Sequence, residues 1–265
     1  MDAYTEGIVL RQTKTLNGRR MITLFSREYG KIGAGTSLAG GGKGRSALAL
    51  RPFTYGSYAL RKSRGAWHMN SAEALRGFYR IAEAPEKFAS CSYALEFTEK
   101  LLPEESPAPA LFALALEYFE MMERREKRFD TLTVLFLFRA ISLWGAAPEL
   151  EKCVRCGKVP RGGVSFGVRD GGLVCDACMG AENIPDTGKD RLLYPLDFDI
   201  LNVMRYFRGR PFQDFERLAL DGPVLLALKR ILREHAAWHL GVSGLRSEEF
   251  FTGGLSPTRN ERHRV

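Results

Sequence analysis

Along roughly the first 75 residues, apolar and polar positions alternate in short runs: Thr5 to Gln12, Met21 to Ser26, Lys31 to Gly35, Tyr55 to Lys62 and Trp67 to Ala72. A period of two predicts strands with one buried face. Turn signals separate the runs, at Leu16-Asn17-Gly18, Tyr29-Gly30 and Ser63-Arg64-Gly65. No stretch between them keeps helical periodicity long enough to cross between parallel neighbours. Five short strands of this kind predict a small antiparallel barrel, of which the OB-fold is the commonest five-stranded version.

From about Pro85 the period changes to 3.6. Glu86 to Leu102 carries Phe88, Tyr93, Leu95, Phe97 and Leu101 at helical spacing, and Pro107 to Arg125 does the same with Leu111, Leu114, Leu116, Tyr118, Phe119 and Met122. Asp130 reads as the N-cap of a third helix that runs to Trp144 and ends at Gly145 and Pro148. That helix is apolar nearly all round, which predicts a place at the centre of a bundle. The charge cluster Glu123 to Arg128 reads as a solvated helix end. Two more helices are expected, at Pro195 to Phe207 and at Asp221 to Leu240, the latter with Asp221 as N-cap, Pro223 in the first turn and Gly241 just past the end. Leu245 to Phe251 is expected to close against the bundle, and the polar tail from 252 to 265 to be disordered.

The helical pattern is interrupted by KCVRCGKVPRGGVSFGVRDGGLVCDACMG. It holds two Cys-x-x-Cys knuckles, Cys153/Cys156 and Cys175/Cys178. A two-residue gap turns both thiolates of a knuckle towards one ion, so two knuckles supply the four sulfurs of a closed tetrahedral zinc site. Val164 to Val168 and Leu173-Val174 flank the turn Asp170-Gly171-Gly172, which predicts a zinc ribbon. Four thiolates leave no open position for water, so the reading is a structural zinc, one per chain, rather than a catalytic one. A nucleobase deaminase would need His-x-Glu and Pro-Cys-x-x-Cys, and neither is present. The fifth cysteine, Cys91, lies in an apolar helical run and reads as a small buried hydrophobe. His235 and His239 sit one helical turn apart, but no Glu stands at 236 and no third ligand is in view, so they read as surface or interface residues.

Charge sharpens the picture. The chain carries a net +8, and residues 1 to 80 alone hold fourteen Lys/Arg against four Asp/Glu, a net of +10, leaving −2 on the remainder. A basic unit joined to a nearly neutral one points to a polyanion partner for the first unit. Its candidate phosphate contacts are Arg11, Arg19, Arg20, Lys31, Lys43, Arg45, Arg61, Lys62 and Arg64. Ala39 to Ser46 is glycine-rich, but a Walker loop ending at Gly42-Lys43 would need Gly at Ser37 and Ser or Thr at Gly44. It reads as a basic barrel loop able to follow a nucleic-acid backbone, while barrel Tyr and Phe side chains stack bases. No signal peptide opens the chain, and the most apolar run, Val134 to Leu143, is interrupted by Arg139 and too short to cross a bilayer. Thiols clustered at metal spacing fit a reducing compartment, so a soluble cytoplasmic protein with no membrane partner is expected.

Several blocks, in order, resemble the RecO family of bacterial recombination mediators: YTEGIVLRQTKTLNGRRMITLFSREYGKIGAGTSLAGG, then LRPFTYGSYALRKSRG, WGAAPELEKCVRCGK, GGLVCDACMG and LRSEEFF. The resemblance runs from residue 3 to about 251. It implies an α+β multidomain chain: an OB-fold at 1–80, a helical domain at 81–150 and 183–251, and a zinc ribbon at 151–182 inserted in that domain. It also implies DNA repair and recombination through the RecF pathway, with binding of single- and double-stranded DNA and annealing of complementary strands. RecR and the single-stranded-DNA-binding protein would be partners, with RecA loaded onto coated DNA and a nucleoid-associated location in the cytoplasm. Many members carry a denser run of Lys/Arg where this chain has Gly40 to Gly44.

The residues themselves support a non-enzymatic DNA-binding and annealing protein. No Gly-x-Ser-x-Gly or spaced carboxylate triad is present, and the chain has only four His. Two other classes are alternatives: a zinc-containing nucleic-acid-modifying enzyme, which chelators would inactivate, and a transcription regulator, which would prefer one duplex sequence by about a thousandfold.

Overall fold

A computed structural model describes residues 2–15, 19–38, 44–180 and 192–252. The expected turn at 16–18, the glycine-rich stretch 39–43 with Lys43, and the expected tail beyond 252 lie outside the described residues.

Five strands, β1 (Asp2–Lys14), β2 (Arg20–Ser26), β3 (Gly30–Thr36), β4 (Thr54–Ser63) and β5 (Ala66–Gly77), close into a barrel in the order β1-β2-β3-β5-β4. Each expected strand is present, extended at its ends. All pairs are antiparallel except β3 with β5, which meet in parallel over Ala34 with Trp67 and Gly35 with His68. This is the OB-like arrangement, with a short helix α1 (Arg45–Leu48) before β4. Arg64 and Gly65, with φ of 52° and 80°, form the tight β4–β5 turn.

In β1 the register shifts between Val9 and Arg11. Val9 enters the barrel core with Ile22, Leu24, Ile32, Tyr58, Leu60 and Met69. Ile8 and Leu10 instead join Phe25, Phe53 and Phe78 in the core of the helices. Phe25 meets Phe112 edge-on at 5.2 Å, and Phe53 and Phe78 meet Phe119 at 5.9 and 5.7 Å. The barrel is therefore buried on its inner face and on part of its outer face.

The helical domain contains α2 (Pro85–Leu101), α3 (Pro109–Arg124) and α4 (Phe129–Ile141). The window Phe129–Ala146 is long and apolar enough to cross a membrane by composition, yet α4 is the centre of the bundle, touching α2, α3 and α7. Asp130 is not its N-cap. The chain enters α4 through Arg128 at φ 54°, and Asp130, inside the first turn, accepts from Ser90 at 2.6 Å and pairs with Lys229. The 123–128 cluster is in part the solvated end expected, with Arg124, Glu126, Lys127 and Arg128 exposed. Glu123 pairs with Arg76, while Arg125 and Arg128 donate to the carbonyls of Glu216, Leu218 and Leu220, where guanidinium groups satisfy carbonyls left open by an irregular segment.

The ribbon strands β6 (Val164–Gly167) and β7 (Gly172–Cys175) lead to α5 (Asp176–Gly180). A third strand, β8 (Leu193–Pro195), pairs with β6. The helix expected from Pro195 starts later, as α6 (Phe198–Arg208), followed by α7 (Gly222–Leu240) and α8 (Glu248–Thr252). In α7 the expected caps are found: Asp221 accepts from the Val224 N–H at 3.0 Å, and Gly241 takes φ 68°. Phe251 of α8 stacks on Tyr93 at 4.3 Å, closing the carboxyl segment on the bundle as expected. Phe166, Val168 and Leu173 of the ribbon belong to the same apolar core as the helices. The fifth cysteine, Cys91, is fully buried, and burial pushes its thiol up to about 12.

Candidate metal centre and nucleic-acid interface

In the first knuckle, Gly157 takes φ 70° and returns its N–H to the Cys153 carbonyl at 2.8 Å, while the Cys153 N–H reaches Lys158 O at 2.9 Å. The left-handed residue lets the turn close so tightly. The second knuckle spans the end of β7 and the first turn of α5. Between them, the four sulfurs of Cys153, Cys156, Cys175 and Cys178 come within 4.8 Å of one another. A tetrahedron of about 2.3 Å metal–sulfur bonds spaces its sulfurs about 3.8 Å apart. The Cys156 and Cys175 sulfurs are 3.8 Å apart. Burial pushes the Cys153 thiol up, but N–H groups of Cys175, Cys156 and Arg155 outweigh it and bring the thiol down to about 6. Proton sharing with Cys175 and Cys156 pushes Cys178 the other way, to about 12. A divalent cation would replace those shared protons, so the donor set fits a closed thiolate site.

A paired contact of Arg155 with Asp170, at 2.8 and 3.0 Å, ties the first knuckle to the hairpin turn. Of the two α7 histidines, expected at the surface or an interface, His239 is exposed and His235 is buried. His235 is 1% exposed with Nε2 on the Ala146 carbonyl at 2.8 Å, and His239 Nε2 meets the Val168 carbonyl at 2.7 Å. His239 ties the ribbon to α7, His235 ties α7 to the segment that follows α4, and burial brings His235 down to about 4.

Eight of the nine candidate cations fall among the described residues and divide by position. Arg19 and Arg61 line a groove of about 800 Å³ whose wall and floor include Met21, Gly33, Gly35, Trp67, His68 and Asn70. It lies between the β1–β2 and β4–β5 turns, the side of an OB barrel suited to oligonucleotides. A Cβ on Gly33 would meet nothing within 4 Å, so this part of β3 presents bare backbone to an incoming chain. Arg20 lies beside the groove, donating weakly to Leu38 O at 3.5 Å, and Arg64 stands exposed in the β4–β5 turn. Arg45 pairs with Glu73 at 3.1 Å along a different depression, with Tyr4.

Three cations face the helical domain instead. Arg11 pairs with Glu99 at 2.8 Å, Lys31 pairs with Glu104 at 3.2 Å and donates to the Glu99 carbonyl at 2.9 Å, and Lys62 pairs with Glu105. The expected stacking by barrel Phe and Tyr is not available at the groove: Phe25, Phe53 and Tyr58 are buried. Of the rings that do border it, His68 is exposed and Trp67 is itself 5% exposed. The signal that could have found this face is β3 itself, with Gly33 and Gly35 at alternate, outward positions.

Residues 1–78 match the family described as "Recombination protein O N terminal" and residues 82–249 match "Recombination protein O C terminal". A "DNA repair protein RecO" of Bacillus subtilis is 31% identical over 227 residues, 86% of this chain and 85% of that protein. One from Bacillus pumilus is 30% identical over 216 residues, 81% and 78%. One from Alkaliphilus metalliredigens is 25% identical over 238 residues, 89% and 93%. With an OB-like barrel, a helical domain bearing a four-cysteine cluster, and matches across nearly its whole length, the chain belongs to the RecO family of DNA repair proteins.

Proposed function

We propose that this chain is a non-enzymatic recombination mediator of the RecF pathway. It binds single- and double-stranded DNA through the barrel, anneals complementary strands without ATP, and works with RecR and the single-stranded-DNA-binding protein to load RecA. The bound metal is zinc, one per chain and structural, and the protein acts in the cytoplasm at the nucleoid. The observation that carries the reading is the barrel groove, with Arg19 and Arg61 either side of a glycine floor.

Annealing is downhill once strands meet, since each stacked step yields on the order of 1.4 kcal/mol, so no nucleotide fuel is required. The barrier is phosphate repulsion together with any protein coating the strands. Cations beside a bare backbone floor lower the first by neutralising phosphates and releasing their counterions. The test is annealing of complementary oligonucleotides with no ATP present. The rate should rise with protein and fall with salt over the range where binding falls. A strict requirement for ATP, or annealing at salt where no DNA is bound, contradicts the reading.

A further inference from the structure

We propose that Glu105 stands in for a nucleic-acid phosphate on the barrel: the groove continues beneath this carboxylate to Lys62 and Trp67, and bound nucleic acid turns it out. The inference rests on the reading of the barrel as a DNA-binding unit.

The loop between α2 and α3 carries Glu104 and Glu105 onto the barrel. Its backbone is pinned there, because the Glu105 N–H donates to Lys31 O at 2.8 Å, and Gly30 packs so closely that a Cβ would lie 2.0 Å from the Ser106 carbonyl oxygen. Glu105 itself holds φ 54°, a left-handed conformation that a non-glycine residue adopts at some cost and keeps only when its surroundings fix it. That backbone aims its side chain at the end of the groove. One carboxylate oxygen takes the Lys62 ammonium and the other takes the Trp67 indole N–H at 3.2 Å. The ammonium also lies 5.2 Å from the centre of the indole ring.

An anionic oxygen pair that accepts from a lysine and an indole N–H uses the donors a phosphodiester would use. Trp67 borders the same groove as Arg19 and Arg61 and is 5% exposed with Glu105 on its indole N–H, so turning the carboxylate out would free that donor at the edge of the candidate DNA path. Lys62 and Glu105 are 32% and 45% exposed, which makes their ion pair open to water and easily exchanged for a polyanion. Its bonds to Lys62 and Trp67 hold the Glu105 carboxyl below the usual range, so it remains charged and competes whenever the groove is empty. Because the loop backbone is pinned, only the side chain has to swing. Glu104 differs: it is 67% exposed and pairs with Lys31, whose ammonium is also fixed to the Glu99 carbonyl.

The experiment uses the full chain and a labelled oligothymidylate of about 30 nucleotides, longer than one OB-fold site. Binding is followed by anisotropy from about 50 to 200 mM salt. Glu105→Gln, which keeps an acceptor for Trp67, should bind about two- to fivefold more tightly at the low end, with the gain shrinking as salt rises. Glu104→Gln removes the same charge one residue away and should leave affinity within about 1.5-fold. Lys62→Ala should lower the salt slope by about 0.7, the value for one phosphate contact. Equal effects at 104 and 105, weaker binding by Glu105→Gln, or an unchanged slope in Lys62→Ala each overturn the proposal. If the parent chain binds no DNA, the DNA-binding reading itself has failed. Should Glu105→Gln melt well below the parent, the Lys62→Ala slope still decides.

Discussion

Charge alone treats the nine basic candidates as equivalent, and a matched pair of double variants separates them by position. Arg19→Ala/Arg61→Ala and Arg11→Ala/Lys31→Ala each remove two positive charges. The first pair lines the groove, where Arg19 is exposed and Arg61, 65% exposed, approaches Asp2 no closer than 4.0 Å, so both guanidinium groups are available to phosphate. Two lost contacts should lower the single-strand salt slope by about 1.4, and across a fourfold salt range this narrows the gap to the parent by about sevenfold. Thermal stability should hardly change, since exposed groups without tight partners contribute little. The second pair works at the seam with the helices. Arg11 is 54% exposed, so its bond to Glu99 contributes about 0.5 kcal/mol after screening. Lys31 is 14% exposed and serves both Glu104 and a backbone carbonyl, which makes its loss cost about 1–2 kcal/mol. Together they should lower Tm by about 4–8 °C in a chain of this size, with the salt slope shifting far less. Anisotropy titrations at several salt concentrations and thermal melts of both variants supply the comparison. If Arg11→Ala/Lys31→Ala lowers the slope as much as the groove pair and leaves Tm unchanged, the division between groove and seam is wrong.

Cys153→Ser should abolish stoichiometric zinc and destabilise the helical domain as a whole, because binding energy in a closed thiolate site is folding energy; metal analysis in reducing buffer with a thermal melt checks both halves. His235, neutral in the fold with its value lowered to about 4, binds fewer protons than the unfolded chain between that value and 6.5, so this group makes stability rise with pH across that window and level off above it. Its share of the loss between pH 7 and 4.5 is about 2–3 kcal/mol. In His235→Asn the pH-dependent part of that loss should vanish from urea melts, and an unchanged pH profile would show that burial at this site does not control titration. Gly30→Ala should unseat the α2–α3 loop and destabilise by about 2 kcal/mol or more, since the added methyl collides with Ser106 at a φ of +70°; a melt indistinguishable from that of the parent would refute it.

What could be read from the sequence was whatever local chemistry specifies. Strand alternation, the caps at Asp221 and Gly241, and the Cys-x-x-Cys spacing each state their own geometry within a few residues. Asp130 was misread because an acid ahead of an apolar run looks like a cap, whereas its partners, Ser90 and Lys229, are about 40 and 100 positions away. The burial of His235 stayed hidden for the same reason: it bonds the Ala146 carbonyl, 89 positions away, while exposed His239 bonds that of Val168. Strand β8 is three residues long and follows a stretch of some fifteen positions after the last cysteine, too short to announce itself by alternation. Counting charges located the basic unit but not its facing, because Arg11, Lys31 and Lys62 show their acidic partners only once α2 and its loop are folded back onto β3 and β4.

The alternation of β1, which turns Val9 into the barrel and Ile8 and Leu10 towards the helices, leaves no surface along which barrel and bundle could part cleanly. Denaturation should therefore be a single cooperative event, with calorimetric and van't Hoff enthalpies in agreement, in spite of a sequence that scans as separate modules. A fragment ending near residue 80 would carry Ile8, Leu10, Phe25, Phe53 and Phe78 uncovered, and self-association through that face is its expected fate. Force or heat applied at either end of the chain is then felt as one load by both halves. The barrel borrows its rigidity from helices packed against its outer face.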